Sequence, residues 1–183
     1  MKVTPLDIEG AWLIEAQTHK DNRGLFREWF RSDLSENSLL PSFEVIQANT
    51  SVSEKGVIRG IHYSDAKNGQ SKIVTCTYGS ILDSVVDLRT NSKSFGKSVT
   101  IELNSENGIS IYISSGLGHG FQALESKTAV TYLLNKKYDS NAEYAINPLD
   151  KELGIKWRDL PVVISEKDNL APSFNSLKKI RND

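Results

Sequence analysis

Residues 72–89 read KIVTCTYGSILDSVVDLR. Two β-branched runs, 72–77 and 80–88, are broken by Tyr78-Gly79, a pair that marks a turn. The same pattern recurs along the chain. Alternating or β-branched stretches lie at 11–16, 25–30, 43–52, 57–63, 98–103, 109–113, 120–124 and 129–134. Turn signals fall between them at Asp21-Asn22-Arg23-Gly24, Lys55-Gly56, the Asn-Ser-Glu-Asn-Gly run at 104–108, and Gly116-Leu117-Gly118. Short strands at roughly 8–12-residue spacing point to an antiparallel sandwich or jelly roll rather than alternating βαβ units. Few helices are expected: one at 32–40, with Ser32 as N-cap and Pro41 just beyond it, and one around 173–180 after Pro172. The chain reads as one mostly-β domain over residues 1–183.

A chain of 183 residues buries about 70% of the surface its unfolded form exposes, so neither a disulfide nor a structural metal is needed to hold a core. Hydrophobic residues at 38% and charged residues at 25% fit a globular protein rather than a disordered one. Lys+Arg is 22 against 23 Asp+Glu, a net charge of -1 that gives no bulk attraction to polyanions. That argues against a general nucleic-acid binder and a basic membrane-surface protein, and leaves room for a local basic pocket. Cys76 is the only cysteine, which excludes an intramolecular disulfide and a Cys-type zinc site. The first residues, MKVTPLDIEGAW, contain no apolar signal-peptide core, and no apolar run approaches the ~20 residues that cross a bilayer. A cytoplasmic location is expected.

Strand parity locates the polar side chains, because residues two apart share a face. Phe26 shares a face with Glu28, and Gln47 and Asn49 share one with Phe43 and Val45. Each polar member either faces solvent or joins a buried cluster that must supply partners. Lys72 opens its strand, and Asp83 and Asp87 share one face of theirs. Tyr132 and Tyr138 also share parity, but a straight strand would hold them about 20 Å apart at roughly 3.3 Å per residue. A bend at 135–137 would shorten that gap. Of the three histidines, His19 sits in a polar stretch and reads as surface. His62 follows Arg59-Gly60-Ile61, and His119 is flanked by Gly118 and Gly120, so either is structural or functional. A metal site is not expected, since no second histidine follows His62 at ligand spacing.

Several segments together resemble the dTDP-4-dehydrorhamnose 3,5-epimerase family. They are DNRGLFRE at 21–28, QAN at 47–49, VIRGIHY at 57–63, QSKIV at 70–74 and DSVVDLR at 83–89. GLGHGF at 116–121, Tyr132 with Tyr138, GIKW at 154–157 and SEKD at 165–168 complete the set, which spans about residues 5–175. The resemblance implies a metal-free, cofactor-free cupin-type jelly roll, a homodimer, and a nucleotide-sugar site inside the barrel. Members of the family invert C3 and C5 of dTDP-4-dehydro-6-deoxy-D-glucose, giving dTDP-4-dehydro-L-rhamnose.

Both carbons flank the C4 ketone, so removing either proton gives an enolate. The chemistry then needs a base, a group that steadies the oxyanion, and an acid on the opposite face. By resemblance His62 is the base, Asp168 its orienting partner, Lys72 the cation beside O4, and Tyr132 the acid. Arg23 and Arg59 match positions that bind the diphosphate or sugar. Phe26, Glu28, Gln47, Asn49, His119, Glu143 and Lys167 match nucleotide or sugar contacts, and Tyr138 matches an aromatic stacked on thymine. The chain departs from the family pattern in two loops: 64–68 lacks proline, and Ser140 follows Asp139 where proline is common. Three other readings remain at this stage: an epimerase of C3 alone, a catalytically silent sugar-nucleotide binder, and a metal-dependent cupin oxygenase.

Overall fold

The computed structural model describes residues 1–36, 39–64, 66 and 69–182, the last four by their backbone alone. The strands are β1 (Lys2–Pro5), β2 (Ala11–Glu15), β3 (Thr18–Asp21), β4 (Gly24–Arg27), β5 (Gln47–Ser53), β6 (Val57–Ser64) and β7 (Lys72–Tyr78). They continue with β8 (Ser80–Asp87), β9 (Ser98–Asn104), β10 (Ile109–Ile113), β11 (Leu117–Ala123), β12 (Thr128–Leu134), β13 (Glu143–Ala145) and β14 (Val163–Ile164). Two helices follow, α1 (Glu166–Asn169) and α2 (Phe174–Asn182). The first sheet has the order β1-β2-β10-β7-β12-β5, and the second runs β13-β6-β11-β8-β9 with β14 alongside β6. Every pairing is antiparallel except that of β14 with β6, and β3–β4 is a separate hairpin. The expected mostly-β sandwich is the one that forms.

The run 72–89 spans both sheets. β7 lies in the first and β8 in the second, so Tyr78-Gly79 is a corner between layers. Gly79 has φ +73, and a Cβ there would meet Thr128 Oγ1 at 2.6 Å, so glycine alone fits the corner. Beside it Cys76 is buried, its Sγ 3.3 Å from the carbonyl oxygens of both Tyr78 and Gly79. Burial pushes the thiol up to about 12, so the reactive thiolate is scarce. Native protein at neutral pH is therefore expected to resist a thiol-alkylating reagent that labels Cys76 completely in denaturant. Rapid labelling of folded protein would contradict this burial.

Alternation assigns three apolar layers. Val74 and Cys76, Ile81 and Val85, Ile111 and Ile113, Leu117 and Phe121, and Val130 point inward and form the core between the sheets. On the outside of the first sheet, Ile73, Tyr112 and Leu133 are covered by Trp29, Phe30, Leu40 and Phe43. On the outside of the second, Ile61, Val86 and Leu88 are covered by Ile146, Leu153 and Phe174. Covered on both faces, β8 is buried at every residue.

This outer packing explains where the sequence reading departs from the structure. The expected strand 25–30 ends at Arg27, and the strand expected to start at 43 starts at Gln47. Trp29, Phe30 and Phe43 leave the ladder to pack on the outer face, with Phe30–Phe43 and Phe43–Tyr112 ring centroids at 6.1 and 5.7 Å. The helix expected at 32–40 is a single 3-10 turn, Ser32–Ser35, flanked by Arg31 rather than capped by Ser32. Burying Leu34 and Leu40 in that cluster takes precedence over a short helix with no cap bond; residues 37 and 38 lie outside the described residues. The C-terminal helix forms as α2, starting at Phe174.

Candidate active site

The inward rows that build the core change character towards one end of the sandwich. Lys72 continues the row of Val74 and Cys76, Tyr132 that of Val130, and His119 that of Leu117 and Phe121. These polar groups border a cavity of about 530 Å³, together with His62, Arg59, Lys167 and Asp168. A second hollow of about 250 Å³ is bordered by Gln47, Asn49, Tyr138 and Glu143. His62, Lys72, Tyr132 and Lys167 border both hollows, so three of the four residues expected to do the chemistry stand where the two meet, and Asp168 borders the larger one alone.

His62 lies on β6 opposite His119 of β11. The strands approach closely there because Gly60 has φ +120 and no Cβ; one would stand 2.5 Å from Gly120 Cα and 2.7 Å from His119 O. Nε2 of His62 is 2.7 Å from Oδ1 of Asp168. Asp168 sits in α1, which Ser165 caps by accepting the Asp168 N–H at 3.1 Å. Asp168 is buried, and the Gly60 N–H donates to its other carboxylate oxygen at 3.4 Å. With the Nε2 proton held by Asp168, the basic atom of the imidazole is Nδ1.

Burial holds the His62 pKa below its ordinary 6.5, the positive fields of Lys72 and His119 lower it further, and the Asp168 contact opposes them. The ring is accordingly neutral, hence basic, at pH 7. Lys72 is also pulled below its usual value by burial, with Glu143 and Asp83 acting to keep it charged. Burial raises Glu143, against the pull of Lys72 and Lys167. Tyr132 and Lys72 come from the first sheet and His62 from the second. His62 and Tyr132 thus reach the same two hollows from different sheets.

Asn135 Oδ1 accepts the Ser71 N–H at 2.8 Å where β12 ends, and the chain turns there. Gln47 Oε1 accepts the Tyr138 N–H at 3.0 Å, and Gln47 Nε2 donates to Asn49 Oδ1 at 3.1 Å. This turn brings Tyr138 to the same hollow as Tyr132, so the straight-strand separation does not apply. Arg59 donates to Ser53 Oγ at 3.0 Å and Val52 O at 3.3 Å, which fixes its guanidinium at the larger cavity.

Three expected contacts are not brought in. Arg23 and Phe26 lie on the β3–β4 hairpin, which has its own shallow depression, and with Glu28 they border neither hollow. Arg23 pairs with Asp21 at 2.5 Å, Glu28 stands 3.7 Å from Arg31, and Phe26 is 70% exposed. His19, across the hairpin from Phe26, is on the surface as expected.

Ser51, Gln70, Phe121 and Tyr144 border the hollows without having been expected there. Ser51 shares parity with Gln47 and Asn49, which is the signal that could have found it. Phe121 is indistinguishable from core in sequence, and Tyr144 lies in a stretch too short to read as a strand. Among the described residues no three His, Cys, Asp or Glu side chains are placed to hold a metal ion, and no helix is long and apolar enough to cross a membrane. Of the proline-free loop, residues 65, 67 and 68 lie outside the described residues.

Comparison with known proteins gives the family. A family model described as dTDP-4-dehydrorhamnose 3,5-epimerase matches residues 5–176. A dTDP-4-dehydrorhamnose 3,5-epimerase of Mycolicibacterium smegmatis is 40% identical over 175 residues, 95% of this chain and 86% of that protein. The crystal structure of a dTDP-6-deoxy-D-glucose-3,5-epimerase from Legionella pneumophila, in complex with dTDP-4-keto-L-rhamnose, superimposes with a TM-score of 0.90 at 32% identity, covering 98% of this chain and 96% of that one. A 3'-monoepimerase from Streptomyces bikiniensis, in complex with dTDP-quinovose, gives 0.91 at 37% identity over 96% and 89% of the two chains.

Proposed function

The chain belongs to the dTDP-4-dehydrorhamnose 3,5-epimerase family, isomerases that act on sugar nucleotides, and on that premise we propose that it inverts both C3 and C5 of dTDP-4-dehydro-6-deoxy-D-glucose. The observation that carries the reading is the meeting of His62, Lys72 and Tyr132 from opposite sheets at the junction of the two hollows. His62 Nδ1 removes the proton beside the C4 ketone, with Asp168 holding the ring through Nε2–H. The electron pair moves onto O4, where the Lys72 ammonium stabilises it. The Tyr132 hydroxyl returns a proton from the other face, and both groups then re-equilibrate with water. Repetition at the second carbon gives dTDP-4-dehydro-L-rhamnose, and proton transfer alone needs no cofactor.

In this reading Arg59, His119 and Lys167 hold the sugar and diphosphate, while Gln47, Asn49, Glu143 and Tyr138 border the hollow that takes the nucleoside. Arg23, Phe26 and Glu28 stand away from both hollows of their own chain, and their exposure suits the site of a second copy. A homodimer is therefore part of the proposal, together with a single domain over the whole chain and a cytoplasmic place of work. Light scattering on the purified protein tests the dimer.

Incubating dTDP-4-dehydro-6-deoxyglucose with the protein in deuterated water, without added metal, tests the reaction by NMR. Deuterium at C3 and C5, with L-rhamnose trapped by a rhamnose-specific ketoreductase, is the expected result. Deuterium at C3 alone would establish the narrower epimerase, and none at either carbon in folded protein would overturn the reading. The acid side of the pH profile tests His62 separately. Because burial disfavours the imidazolium, the base stays free as pH falls to 6.5, and kcat/KM is expected to reach half its plateau below that value. A midpoint above 6.5 would contradict the assignment.

A further inference from the structure

We propose that Asp83 is a positioning residue of this site, holding His119 by a hydrogen bond and setting an enclosed carboxylate behind the cavity that His119 and Lys72 both border. The inference rests on the reading of Lys72 as the group that steadies the enolate oxygen. Asp83 lies mid-strand in β8 between Ile81 and Val85, both core residues, and is 0% exposed. A carboxylate at such a position is costly to bury unless its neighbours compensate it.

The same strand shows what a purely structural carboxylate looks like. Asp87 is equally buried, yet both its oxygens are occupied. Oδ1 accepts from Arg89 N and Nε at 3.1 and 2.9 Å, and Oδ2 accepts from Arg89 Nη2 at 2.8 Å and from Ser92 and Ser94 hydroxyls at 2.6 Å each. Among the described residues Asp83 Oδ2 accepts from His119 Nε2 at 2.8 Å, and its Oδ1 has no partner. A half-satisfied buried carboxylate beside a polar cavity marks a functional position, because packing alone would favour an apolar residue.

Two consequences follow for the cavity groups. Donation of Nε2–H to Asp83 fixes the His119 tautomer, so Nδ1 is the atom left for the sugar. The second consequence concerns Lys72, which borders the larger cavity with His62 of β6, His119 of β11, Tyr132 of β12 and Lys167 of α1, and the second hollow with Glu143 of β13; Asp83 of β8 lies behind His119. Glu143 and Asp83 are the two carboxylates that counter its burial. Glu143 is only half-buried, so water and ligands reach it. Asp83 is enclosed and supplies a field that solvent does not screen.

Asp83→Asn removes the charge while its amide oxygen still accepts from His119. In the substrate-free variant, side-chain NMR of Lys72 is expected to show deprotonation at a pH lower by about 1 unit or more than in the unaltered protein. The alkaline limb of kcat/KM is expected to move down with it. An unmoved Lys72 titration in folded Asp83→Asn overturns the proposal. A shifted titration with an unmoved alkaline limb would instead remove the Lys72 charge from the reaction, and the positioning role with it. Should the variant not fold, 15N spectra of the unaltered protein decide, with the Nε2–H tautomer of His119 expected and the Nδ1–H tautomer overturning the contact.

Discussion

Substituting His62 with alanine is expected to abolish both epimerisation and solvent exchange, with a rate loss of about 10²–10⁴-fold, the usual contribution of a positioned general base. The same substitution leaves Asp168 buried without its 2.7 Å partner. An unpaired buried acceptor costs about 1–3 kcal/mol, more for a charged group, so lost activity could reflect lost structure. His62→Gln separates the two effects, because its amide N–H reaches the position of the lost Nε2 and still donates towards Asp168 while no basic nitrogen remains. The expectation is a folded protein, judged by circular dichroism and melting, that incorporates no deuterium at C3 or C5. Exchange persisting in either folded variant would show that another group takes the proton.

Tyr132→Phe is expected to separate the two halves of the reaction. The ring packs against the core and phenylalanine preserves that packing, so only the hydroxyl is lost. His62 on the other sheet still abstracts and returns a proton on its own face, which exchanges the hydrogen without inverting the carbon. Inversion is therefore expected to fall about 10²–10⁴-fold while deuterium exchange falls far less. The measurement is the ratio of exchanged to inverted substrate by NMR. Equal loss of exchange and inversion would reduce Tyr132 to a binding contact.

The strands that carry the core are legible in the sequence because their β-branched alternation reports burial directly, as in β7, β8 and β12. Short polar strands are not. Thr18–Asp21 and Glu143–Ala145 have no apolar period and form because β4 and β6 offer edges to pair with. Nor does a turn pair such as Tyr78-Gly79 reveal that it passes between sheets, because that depends on which distant strands close the ladder. The aromatic residues at 29–43 show the same limit: their hydrophobicity is readable, but the outer face that claims them is not.

At the site, local sequence left His62 and His119 open, and the resemblance assigned their roles. Asp168, a hundred residues from His62, had no local signal, and only the packing of α1 against β6 brings it near. Tyr138 was hard to place because parity holds only within a straight strand, and a hydrogen bond from Ser71 to Asn135 ends this one. For Arg23, Phe26 and Glu28 the sequence match and the fold of the isolated chain point to different places, which is the physical basis for expecting a second copy.

In the proposed mechanism, with the base on one sheet and the acid on the other, stereochemistry becomes a property of layer spacing. Packed sheets stand about 10 Å apart, a distance held by the side chains between them, here Val74, Val85, Phe121 and Val130. On that reading none of them carries a proton, although Phe121 borders the cavity, and together they act as spacers. Thinning or thickening that layer moves the phenol relative to the imidazole while leaving each with its own neighbours. On that reading, whether a carbon leaves inverted or merely exchanged depends on the oil of the core as much as on the groups that carry the charge.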